Sequence, residues 1–302
     1  MAKTAALLAA TLAALCLCSP AHALSNRAWV SGHGTDTGGC GSPASPCRTF
    51  QYVHDNIIAA GGEIDVLDPA GYGPVTITKA LSIVNDGVGT AGVQAASGNA
   101  ITINAGSGDA VTLRGLSVEG LGTGSYGVQV LAAGRVAILG CSINGFSTAG
   151  ISAGQQSTQG ALLIADSVLA SVGTPNILIV GAGGGLILAS VKNVRVTGGN
   201  TGIEVDAGTA SHYVTISDTI IEGAAVDGVS NNGGRVVIER TTILGSGFAG
   251  VAEASDSGFT ILTNSTVVGS GNFDLDSFGL LETAKNNVFG PTNGPISNYS
   301  LN

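Results

Sequence analysis

Hydrophobic residues recur along this chain in a signature of about 25 residues, running from Val111 to the neighbourhood of Leu275. Three copies read VAILGCSING, VTISDTIIEG and VVIERTTILG, beginning at Val136, Val214 and Val236, and each is followed by a Gly-Ile or Gly-Val pair. Within a copy, apolar and polar residues alternate with period two, which is the pattern of short strands. A fixed period of this length means a solenoid, in which one chain winds a flat-sided coil and stacks it on itself.

Taking the first apolar residue of each unit as position zero gives Val111, Val136, Leu162, Leu186, Val214, Val236 and Thr260. Positions two and seven are apolar as well. Asn193 is the one miss at position seven, and Val194 beside it predicts a one-residue insertion in the fourth unit. Position fourteen holds Gly150, Asn176, Gly228, Gly250 and Asp274, types that tolerate a left-handed backbone. A tight two-residue corner follows position two, with Asp218, Arg240 and Asn264 on successive coils.

Each unit therefore predicts three short strands. Stacked about 4.8 Å apart, equivalent strands form three parallel sheets around one aliphatic column. The expected fold class is all-β, a right-handed parallel β-helix of about nine to ten coils over residues 62–290, with irregular opening coils before Val111.

Residues 24–61 read as a lead-in loop and a capping helix. Phe50, Val53, His54, Ile57 and Ile58 lie at helical spacing, so a helix is expected over 47–61, stopping at Gly61 and covering the open end of the first coil. At the other end, residues 291–302 form a polar tail that winds over the last coil or stays disordered. One outward column, from Gln129 through Ser152, Leu178, Glu204, Ser230 and Ala252 to Asp276, should line a sheet face that is mostly small and uncharged.

Composition narrows the function classes. Charged residues are only 10% of the chain and aromatics 4%, whereas glycines number 48, as suits strands joined by tight turns. The net charge of −9, with 11 Lys and Arg scattered singly, leaves no basic stripe for nucleic acid. Residues 1–23 place Lys3 before an apolar run and end in Ala-His-Ala, which predicts a signal peptide cleaved after Ala23 and a secreted or periplasmic protein. That run is too short to cross a bilayer, and nothing later approaches a span, so the expected mature chain is a soluble monomer. In an oxidising compartment, Cys40 and Cys47 in their Gly- and Pro-rich loop are expected to form a disulfide. Cys141 occupies a position held elsewhere by Ser167, Thr219, Thr241 and Ser265, the place of a small buried thiol.

The repeated unit resembles the coils of right-handed parallel β-helix proteins of the pectate-lyase-like superfamily, over residues 47 to about 290. The opening segment resembles that of many secreted members, with Asp68, Pro69, Gly71 and Tyr72 at the turn after the first strand. The resemblance implies a fold rather than an activity, because the superfamily holds lyases, hydrolases, epimerases and adhesins. The Asp-Asp pair of its polygalacturonases is absent, and the one Gly-His-Gly, around His33, precedes every coil. The acidic cluster and catalytic arginine of pectate lyases are not apparent in the sequence.

The remaining constellation lies in the fourth and fifth units. Ile203 and Val205 point inward, so Glu204 and Asp206 should share an outer face, with Asp227 and Glu222 in the next coil and Lys192, Arg195, His212 and Tyr213 nearby. Two carboxylates and a cation such as Arg195 are the minimum for glycoside hydrolysis or lyase chemistry. The same oxygens suit Ca²⁺, although no dedicated metal or cofactor site is read. Outward charges also simply solvate a solenoid, and an Arg195–Glu222 pair is worth little at a surface. The tyrosines and Trp29 are dispersed, so no aromatic track for sugars is read. The preferred reading is an exported, non-catalytic β-helix that binds or presents a surface to polysaccharide. The alternatives are a lyase or hydrolase built on Glu204 and Asp206, and a structural adhesin or envelope scaffold.

Overall fold

The computed structural model describes residues 24–154, 160–171, 175–181, 185–208, 210 and 212–298. The leader read from residues 1–23 lies outside them. The chain folds as the expected right-handed parallel β-helix. Each coil contributes one strand to each of three parallel sheets, as Arg135–Leu139, Ser142–Asn144 and Ala149–Gly154 do in one coil. Among the described residues, the first sheet has twelve strands, and the second and third have ten each.

Strand pairing follows the sequence repeat at every unit but one. Val111, Val136 and Leu162 pair in register, as do Val214, Val236 and Thr260. In the fourth unit the residue level with Leu162 and Val214 is Ala189, so position zero is Ala189 rather than Leu186. Position seven then falls on Val196, which pairs with Leu169 and Ile221. No insertion exists. Asn193 is a corner residue, and the three-residue error arose because Leu186 and Leu188 mimic the alternation that Ala189 and Val191 bury.

The corner between the first and second sheets explains several residue choices. Its outer residue is left-handed in successive coils, with φ of 54° at Asp166, 51° at Asn193, 53° at Asp218, 47° at Arg240 and 49° at Asn264. That conformation disfavours most side chains, and Asn or Asp offset it by local hydrogen bonds. Asn193 donates to Asp166 at 2.7 Å, and Asn286 donates to Asn264 at 2.6 Å. Arg240 compensates through Asp218, at 2.7 Å from Nε.

Just inside the corner runs a buried hydroxyl ladder. Ser167 donates to the carbonyl of Ala165 at 2.8 Å and accepts the amide of Cys141 at 3.1 Å. Thr241 and Ser265 repeat the pattern, so main-chain groups that a corner would strand in the core are satisfied. Cys141 sits in this column as a buried thiol whose pKa burial pushes up to about 11.

The glycines at position fourteen serve a purpose other than the expected one. Gly150, Gly228 and Gly250 are absent from the left-handed residues; a Cβ on Gly228 would lie 2.4 Å from Cγ2 of Ile243, and one on Gly250 would lie 2.1 Å from Cγ1 of Val267. At Gly228 and Gly250 glycine is favoured because the backbone of the third sheet passes directly over the position-seven side chain.

The amino-terminal end is more strand-like than the sequence pattern indicates. Ser25–Val30 is a strand that pairs in parallel with Ile58–Val66, so the helix is confined to Phe50–Asn56 and Ile58 onward is extended. A sheet edge offering unpaired N–H and C=O groups outcompetes the last turns of a short helix. Thr49 caps the helix through the Tyr52 amide, and Asp36 accepts from the Thr49 hydroxyl at 2.8 Å. Asp68 ties the lead-in to the first coil, accepting from Ser31, Gly32 and Tyr72. The sulfurs of Cys40 and Cys47 are bonded. At the other end, the described part of the expected tail, up to Asn298, continues the solenoid, with Thr292–Asn293 and Ile296–Asn298 pairing onto the preceding coil.

The aliphatic column changes character near its carboxy-terminal end. Val205 is followed in register by Asn231 and then Glu253, both wholly buried. Glu253 Oε2 accepts from Asn231 at 2.8 Å and from Thr260 at 2.6 Å, whereas Oε1 has no partner. Burial pushes the carboxyl up to about 7. Because its folded pKa exceeds the unfolded value of about 4.3, Glu253 binds more protons in the folded state. Its contribution is fully present below pH 4 and is lost as pH rises to about 7, a change on the order of 3 kcal/mol. Thermal unfolding between pH 4 and 8 should show that loss, and Glu253→Gln should remove it; a variant with the wild-type pH dependence would refute the assignment.

Candidate functional site

Strand Ile203–Asp206 belongs to the third sheet, between Ile177–Val180 and Asp227–Asn232. Ile203 and Val205 are wholly buried, which turns Glu204 and Asp206 to the outer face together. The outward column is continuous in register from Gln129 through Ser152, Leu178, Glu204, Ser230 and Ala252 to Asp276, and ends at Asn293. Asp227 opens the next strand, where Oδ1 accepts the Ala249 amide at 3.2 Å.

These carboxylates form one electrostatic group. The Glu204 pKa is raised by burial and then by Asp206. Asp227 is raised to about 6 by burial, with further repulsion from Asp276 and Glu204. Asp276 is only 5% exposed and accepts from Asn293 at 2.9 Å, while Asp206 accepts from Asn232 at 3.3 Å. Amide donors from neighbouring coils thus carry part of the negative charge.

The cations expected beside them lie elsewhere. Arg195 is on the second sheet, where its guanidinium meets Glu222 at 2.5 Å in an exposed pair. Lys192 ends a first-sheet strand and acts on Asp218. His212 is buried, its Nδ1 accepting the Ile187 amide at 3.2 Å, and burial lowers its pKa. Tyr213 is on the first sheet beneath Arg235. Sequence proximity within two coils spreads residues over three faces, and only the carboxylates converge.

Two phenylalanines add an aromatic edge that the repeat pattern does not reveal. Phe248 and Phe273 make a T-shaped pair with centroids 6.3 Å apart. Phe248 stacks on Val226 through a 2.8 Å main-chain bond, and Phe273 is level with Ala249 and Asp227 in register. The turn into the third sheet therefore borders the carboxylates with an exposed apolar edge. The signal was available in the sequence, since Phe248 and Phe273 stand just before Gly250-Val251 and Asp274-Leu275, but it lay outside the strand alternation.

Among the described residues, no three His, Cys, Asp or Glu side chains converge as a metal-binding group. No helix among them is long and apolar enough to cross a membrane.

No protein-family profile matches the chain, and no curated protein matches its sequence. Among solved structures, the crystal structure of pectate lyase Pel9A superposes with a TM-score of 0.50 and 12% identity, covering 88% of this chain and 70% of that one. This chain has the pectate-lyase-like β-helix fold. At that identity the likeness concerns the path of the backbone, and the activity named for Pel9A is not thereby transferred.

The electrostatic grouping has a direct check. The Asp227 carboxyl carbon should titrate near pH 6 by NMR, and Asp276→Asn should lower its midpoint, since that substitution removes a repulsive charge. A midpoint near 4 in the wild type would overturn the grouping.

Proposed function

We propose that this is an exported β-helix protein that binds extracellular or cell-envelope polysaccharide on its third sheet without cleaving it. The observation that carries the reading is the pairing of the Phe248–Phe273 edge with the column of Glu204, Ser230 and Asp276. Sugars present an apolar C–H face and a rim of hydroxyls. Aromatic rings take the first, and carboxylates and amides accept from or donate to the second. Coils rising about 4.8 Å repeat these groups along a line, as a linear polymer requires. The displacement of Arg195 to another face removes the side-chain cation that lyase chemistry on Glu204 and Asp206 would have used. The β-helix likeness to a pectate lyase fits a polysaccharide ligand, and the leader-like residues 1–23 fit export.

One observation favours a second reading. A carboxyl raised to about 6 is protonated in mildly acidic solution and is then a competent general acid, so Asp227, with Asp206 as the second carboxylate, would suit glycoside hydrolysis. A glycan array followed by titration of the bound polymers separates the two. Binding should appear without new reducing ends or unsaturated products, with or without added Ca²⁺, and Phe248→Ala should weaken it roughly tenfold. Product formation that Asp227→Asn abolishes would establish the hydrolase reading instead; absence of any glycan binding would reject both and leave the scaffold.

A further inference from the structure

The outer face of the first sheet carries a self-complementary pattern. Tyr213, Arg235, Phe259 and Leu280 stand level on four successive strands, and beside the last three stand Val237, Ile261 and Glu282. Tyr213 is 46% and Leu280 45% exposed, and Val237 is exposed too. A contiguous apolar patch on a sheet face marks an interaction surface. Tyr213, Val237 and Phe259 border a shallow groove of about 220 Å³. The Arg235 guanidinium lies 5.7 Å from the Tyr213 ring centroid, and neither Arg235 nor Glu282 enters an ion pair among the described residues.

We propose that this face is the interface of a two-fold dimer of the chain, with the first sheets of two copies packed face to face about an axis running along strand Phe259–Thr263. Such an axis reverses the order of strands across the interface while keeping their direction. Strand Arg235–Glu239 then faces the partner's Leu280–Thr283 strand, with the sheets about 10 Å apart. The partner's Leu280 enters the groove beside Phe259, and the two Phe259 rings meet near the axis. Arg235 reaches diagonally to the partner's Glu282, and symmetry repeats the pair.

The charges choose a second copy as the occupant. These strands carry one unpaired cation and one unpaired anion on their outer face, placed one strand to either side of Phe259, which is the arrangement an isologous contact needs. The four strands present roughly 300 Å² per copy, smaller than the interface of a stable dimer, so the dimer is weak, with Kd on the order of tens of micromolar. The proposal departs from the monomer expected from the sequence, because the complementarity exists only between residues nearly fifty positions apart. The dimer leaves the third sheet uncovered.

Sedimentation velocity on the purified chain from about 5 to about 500 µM tests this. The wild type should pass from monomer to dimer. Arg235→Glu and Glu282→Arg should each weaken association at least tenfold, and the double variant should recover it to within about threefold. Leu280→Asp, at an exposed position, should abolish it, and circular dichroism will report whether each variant keeps the β-helix. If Arg235→Glu does not fold, Arg235→Gln takes its place and should weaken association several-fold. A wild type monomeric throughout, single variants that associate unchanged, a double variant no better than the singles, or growth beyond a dimer would each overturn the proposal.

Discussion

Each coil of this solenoid is held chiefly by main-chain hydrogen bonds to the coils before and after it, so a residue's environment is set by what stands level with it one turn away. Parallel pairing in register demands that inward positions coincide, because a slip of one residue would expose an aliphatic side chain and bury a polar one. Val136, Val111 and Leu162 obey this on the first sheet, as Ile151, Val128 and Ile177 do on the third. The left-handed corners, the hydroxyl ladder and the glycines over position seven are all consequences of closing such a coil without stranding backbone groups.

The same stacking makes surface chemistry columnar. Glu204, Asp227 and Asp276 come from coils that are distant in sequence, and each raises the pKa of a neighbour or is held by amides above it. Placing like charges on one face opposes folding, and the structure offsets this with Asn232 and Asn293 as donors. A structural role alone would be served by serine or threonine, which occupy the equivalent places in other coils, such as Ser152 and Ser230. The carboxylates thus gather where the regular surface gives way to the Phe248–Phe273 edge.

The interior shows a parallel departure. An aliphatic column that ends in Asn231 and Glu253 exchanges hydrophobic burial for a hydrogen-bonded group with one unsatisfied oxygen. Burial raises the pKa of such a carboxyl because its ionised form is poorly solvated. The last coils are therefore chemically distinct inside as well as outside.

Periodicity alone determined the solenoid, the three sheets, the inward residues of most coils, the burial of Cys141 and the outward pairing of Glu204 with Asp206. These follow from period-two alternation repeated at a fixed interval, which is local information. The misread register at Leu186, the strand at Ser25–Val30 and the true reason for Gly228 and Gly250 depended on what lies one coil away. Arg195 and Phe248 make the same point for the site: neighbours in sequence went to different faces, and an aromatic edge arose from separate turns. Only tertiary stacking decided which charges and rings share a surface, because proximity across a parallel sheet is fixed by register between coils and not by distance along the chain.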